Sequence, residues 1–114
     1  MQPELQEVLY SDLRTNDRLV LETGRSTYSF TVTDLANRRG MLVGGNVDQE
    51  REAIFSGSLQ PTKELWEEGI QIGSRATFFL VVPHDASGFS QVITSPLTKI
   101  RLIRGTLSLG SERG

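Results

Sequence analysis

The chain has 114 residues, a net charge of −2, one histidine and no cysteine. That length suits one domain with a core of its own. The missing thiols exclude disulfides, cysteine nucleophiles and cysteine-ligated zinc, and the near-neutral charge excludes a global pull toward nucleic acid or anionic membrane.

The opening "MQPELQEVLY" has acids at Glu4 and Glu7 and no basic or apolar leader pattern, so a secretory signal is not expected. Pro3, Glu4 and Glu7 suit a first helical turn, and Leu5, Val8, Leu9 and Leu13 recur at helical spacing. A short N-terminal helix is therefore expected, ending at "TND" (15–17).

The period then changes to two. "RLVLET" (18–23) passes through Gly24-Arg25-Ser26 into "TYSFTVTD" (27–34), where Tyr28, Phe30 and Val32 face one way and Ser29, Thr31 and Thr33 the other. This reads as a hairpin with one face in the core. "GMLVGG" (40–45) and "EAIFSG" (52–57) read as the next two strands, with Gly44-Gly45 as a bulge or sharp bend. Residues 58–74, "SLQPTKELWEEGIQIGS", break the pattern as an insertion in which "KELWEEG" can form a short helical turn.

"RATFFLVV" (75–82) is apolar on both faces: Ala76, Phe78, Leu80 and Val82 on one, Phe79 and Val81 on the other. "PHDASG" (83–88) reads as a turn and "FSQVITS" (89–95) as the returning strand. "PLTK" can make a tight turn before a last strand, "IRLIRG" (100–105), and residues 106–114 read as a flexible tail. Several short strands with regular turn signals predict an all-β domain over residues 1–105, a small SH3-like or related antiparallel barrel with a short N-terminal helix. The longest apolar run, "ATFFLVVP", is too short to span a bilayer, so no membrane role and a cytoplasmic location are expected.

The order of elements around "DRLVLETG", "YSFTVTD", "GMLVGG" and "VITSPLTKIRLIRG" resembles the Sm-like family of SH3-type barrels. The resemblance covers roughly residues 4–46 and 89–105 and implies rings whose inner rim holds single-stranded RNA. It matches Asp34 to the family's acid, the Asn37–Gly40 loop to its first RNA-facing loop, and Arg101–Gly105 to the neighbourhood of its second. Arg38-Arg39 with Asp85 and Ser87 is also similar to PilZ domains, which bind a cyclic dinucleotide, but Ser90 stands where their motif has glycine.

Chemistry finds little else. "ANRRGMLVGGN" leads into an acidic strand rather than a helix N-terminus, so it lacks the arrangement of a phosphate-cradling loop. His84, Asp85 and Ser87 are neighbours on one turn rather than a triad. Asp48, Glu50 and Glu52 lack a calcium-loop pattern. No enzyme activity, metal or cofactor is expected.

Two features point to association: Phe79 and Val81 on the second face of their strand, and Trp66 in an acidic segment. The leading expectation is a binding or assembly module that forms a homo-oligomer or meets another protein through Trp66, Phe79 and Val81. The alternative is a single-stranded nucleic-acid or nucleotide-binding barrel using Arg38, Arg39, Arg101 and Arg104.

Overall fold

The computed structural model describes residues 4–45, 47–81 and 90–105. It is mostly β, with one 3-10 turn at Tyr10–Asp12. Eleven strands follow in chain order: β1 Glu4–Leu5, β2 Glu7–Leu9, β3 Arg18–Thr23, β4 Thr27–Asp34, β5 Arg39–Gly44, β6 Val47–Leu59, β7 Leu65–Trp66, β8 Gly69–Gln71, β9 Arg75–Leu80, β10 Ser90–Ile93 and β11 Leu97–Ile103. The main sheet runs β1-β11-β3-β4-β5-β6-β9-β10, with β7 on β6, and β2 pairs with β8 in a separate ladder. All pairings are antiparallel.

The β3–β4 hairpin follows directly from its alternation. Leu19 faces Phe30 and Leu21 faces Tyr28 across the ladder, and all four are buried. Ser29 and Thr31 are half-buried on the outer face, and Thr33 is exposed. Thr23 closes the turn, its Oγ1 accepting from the backbone N–H groups of Arg25 and Ser26. The core fills around three rings, Phe30, Phe55 and Phe78, whose centroids lie 5.1 to 6.3 Å apart. Leu42, Val32, Ile70, Leu97 and Ile100 pack around them.

No closed barrel forms among the described residues; the sheet rolls, and β1 and β10 lie at opposite ends of its strand order. Part of the gap is bridged where Gly73 N–H donates to Leu97 O at 2.9 Å and Leu97 N–H to Ser74 O at 2.8 Å. Leu97 thus already belongs to a strand, where the sequence suggested a turn at "PLTK".

The N-terminal helix is not there. Residues 4–9 form two short strands, Leu5 opposite Ile100 on β11 and Val8 opposite Ile70 on β8. The chain crosses between the two ladders at Gln6, whose carbonyl accepts from Ile72 N–H at 2.9 Å. Leu5, Val8, Leu9 and Leu13 do not form one helical stripe. Val8 and Leu13 are buried separately, and the backbone satisfies strand edges that a helix would leave open.

The 58–74 segment also departs from expectation. Instead of a helical turn, β6 runs to Leu59, a tight turn follows in which Gln60 N–H donates to Glu64 O, and β7 returns along β6. β7 takes the edge of β6 that β5 leaves. Gly57, at φ 129°, makes this possible: a Cβ there would lie 2.4 Å from Trp66 O. Gly44 and Gly45 form the expected bend, at φ 125° and 54°, with a register shift between Leu42 and Gly44.

Phe30→Ala is expected to cost about 3–5 kcal/mol, the usual loss for a buried phenylalanine. Thr33→Ala should stay within about 0.5 kcal/mol, as surface changes do. Urea midpoints for the two variants check the register of β4, and equal effects would refute it.

Candidate functional site

The turn between β4 and β5 is built by its own side chains. Asn37 donates from its side-chain amide to Asp34 Oδ2 at 2.8 Å and from its backbone N–H to Oδ1 at 3.3 Å. The Asn37 side-chain hydrogen bond holds the Asp34 carboxyl below the usual carboxylate range, despite an opposing contribution from burial. Arg38 then sits at φ 59°, a left-handed conformation that turns its side chain back over the fold.

Arg38 is engaged throughout. Its Nε donates to Phe55 O at 3.0 Å and its Nη2 to Glu67 O. The guanidinium carbon lies 4.4 Å from the Tyr10 ring centroid and 5.2 Å from that of Phe55, and those two rings are stacked at 5.6 Å. Tyr10 completes the knot, its hydroxyl donating to Leu35 O at 2.6 Å. One guanidinium therefore ties the β4–β5 turn, β6, the segment after β7 and the N-terminal chain together.

The other three arginines proposed from sequence also have protein partners. Arg39 pairs with Glu52 at 2.9 Å across β5 and β6, each side chain 42% exposed. Arg101 pairs with Glu22 across β11 and β3, and its Nε is buried without a hydrogen bond. Arg104 Nη1 donates to Asp17 Oδ2 at 2.6 Å and Asp12 O at 2.8 Å. Asp17, only 2% exposed, also accepts from the N–H groups of Arg14 and Gly105. β3 and β4 separate β11 from β5, a strand-to-strand distance of roughly 14 Å. The fold does not gather the four arginines into one patch, and each already holds a protein acceptor.

Of the apolar candidates, Phe79 and Val81 fall on the outer sheet face, whereas Trp66 lies opposite buried Ser58. Phe79 is half-buried opposite Ile54, and together with Arg38, Phe55, Ser56 and Glu67 they line a depression of about 270 Å³. Val81, half-buried, continues this edge, its N–H donating to Glu52 O at 2.9 Å. Trp66 is half-buried on β7, next to Ser58 of β6. Leu80 packs against the core as expected, but Thr77, on the side shared with Phe79, is buried too and donates to Gly57 O at 3.1 Å. His84, Asp85 and Ser87 lie outside the described residues. Among the described residues no three acids or histidines gather as a metal site, and no helix is long and apolar enough to cross a membrane.

A larger groove, about 600 Å³, was not visible in the sequence. Leu59, Pro61, Lys63, Arg75, Ile93 and Pro96 line it, drawn from the end of β6, the following turn, the start of β9 and the end of β10. Its walls come together through long-range pairing, so no local pattern marked it.

Replacing Arg38 with methionine should leave Phe55 O and Glu67 O unpaired and lose the ring contacts, at on the order of 2–4 kcal/mol. The urea midpoint reads this. Tyr10 supplies a pH test, because burial raises its hydroxyl pKa above 10.0 against an opposing effect of Arg38. The unfolded phenol ionises first, so this contribution is intact below about pH 10 and is lost as pH rises through the folded value. Tyr10→Phe should flatten the alkaline fall in denaturation midpoint; an unchanged slope would refute the assignment.

No protein-family model, no curated protein and no solved structure matches this chain.

Proposed function

We propose that the chain is a non-enzymatic binding and assembly module that pairs with a second copy of itself through the outer sheet face around Ile54, Phe79 and Val81. The observation that carries this is the cross-strand pair Ile54–Phe79, apolar and half-exposed, beside the Arg39–Glu52 ion pair. A two-fold interface must be self-complementary, and a patch that carries both signs of charge next to an apolar centre meets that condition. Arg39 of one copy can face Glu52 of the other.

Fully burying one such apolar side chain contributes about 1.5–3 kcal/mol. These three begin half-covered, so together they supply less than the cost of association, put at about 4–15 kcal/mol. A second contribution is needed, and β10 offers it. It ends the sheet's strand order, with β9 as its ladder partner, so its outer edge suits strand addition. The Sm-like resemblance over roughly residues 4–46 and 89–105 points the same way, since that family assembles into rings.

The alternative is phosphate recognition by Arg38, Arg39, Arg101 and Arg104, whose guanidiniums already hold protein acceptors and lie apart on the sheet. A salt titration with single-stranded RNA separates it, because phosphate binding weakens steeply with salt.

Light scattering at micromolar concentration should show an oligomer for the wild type and a folded monomer for Phe79→Glu, with circular dichroism as the control for folding. A monomeric wild type across the accessible concentration range would overturn the proposal.

A further inference from the structure

The groove between the β6–β7 turn and the ends of β9 and β10 is set apart from the face described above. Its walls are apolar: Leu59 is half-buried, Pro61 and Pro96 are exposed, and Ile93 is 43% exposed, unusually high for a large aliphatic side chain in this fold. Among the described residues its charged lining is Lys63 and Arg75, both exposed, with no carboxylate. Neither groove cation belongs to the ion pairs that join Arg39 to Glu52, Arg101 to Glu22 and Arg104 to Asp17. The nearby acid, Glu64, has its Oε1 within reach of the Thr62 hydroxyl. The volume falls in the range of small-molecule sites.

Lys63 supplies a second, independent observation. It closes the turn after β6 at φ 73°, with its N–H donating to Gln60 O at 2.7 Å. Positions of this conformation in tight hairpin turns ordinarily carry glycine or asparagine, which avoid the clash a longer side chain meets. A lysine there keeps a strained backbone and places a cation at the groove.

From these features we infer that the groove binds a small carboxylate with an apolar body. The carboxylate lies between Lys63 and Arg75, whose planar guanidinium matches two carboxylate oxygens. The apolar body lies on Ile93, Leu59 and the two prolines. This does not depend on self-association: Arg75 begins β9, four residues before Phe79, and the two sites can fail separately.

The test uses decanoate as probe and decanol as its uncharged counterpart, followed by methyl resonances of the full chain in solution. Decanoate should shift the Ile93 and Leu59 methyls saturably, leave Ile54 unmoved, and bind roughly ten-fold more tightly than decanol. Lys63→Gly and Arg75→Gln should each weaken decanoate roughly two- to five-fold, the range for a solvent-exposed charge pair. Lys63→Gly should also raise the urea midpoint by relieving the turn, so lost binding cannot be put down to unfolding. Equal affinity for acid and alcohol, no saturable shift at Ile93, or unchanged affinity in both variants would overturn the inference.

Discussion

A sheet that rolls without closing must do something with its edges, because each presents a row of backbone donors and acceptors that cost free energy if buried unpaired. In this chain residues 4–9 answer most of that demand. β1 covers β11, the crossing at Gln6 reaches Ile72, and β2 covers β8. The contacts at Gly73, Ser74 and Leu97 then join β11 to the entry of β9. The strap lies against Ile100 and Ile70 at the edge of the buried core that includes Phe30, Phe55 and Phe78.

The charge distribution follows the same logic. A short chain with an irregular sheet has several segments that no ladder holds, and arginines fix them. Arg38 reaches two carbonyls and two rings, while Arg104 reaches Asp17 and Asp12. Arginine suits this role because its fork donates in several directions while its flat face packs on aromatic surface. Lys63 and Arg75, which belong to none of the ion pairs at Arg39, Arg101 and Arg104, both line the groove beside the β6–β7 turn.

Local patterning made part of this legible. Alternation in "TYSFTVTD" specified which side chains of β4 are buried, and the paired glycines at 44 and 45 marked the bend that the structure contains. The N-terminal segment misled because spacings of three and four between apolar residues fit a helix, whereas the structure uses Leu5 and Val8 one at a time on two different ladders. "KELWEEG" misled for a related reason: its residues favour helix, but the free edge of β6 beyond Gly57 captures Leu65 and Trp66 as a strand. The roles of the arginines were hidden because guanidinium acceptors such as Phe55 O, Glu67 O and Asp17 are distant in sequence. Adjacent Arg38 and Arg39 read as one exposed pair, yet they serve different partners.

The strap also sets an order of events when the chain is made. Leu5 cannot find Ile100, nor Val8 find Ile70, until residues far along the chain have emerged. The β3–β4–β5 meander, by contrast, is assembled from neighbours. Non-local pairing of this kind slows folding, since chain closure must precede the contacts that reward it. The meander's partners are therefore close at hand before those of residues 4–9. Docking of residues 4–9 onto β11 and β8 is thus expected after the meander has formed.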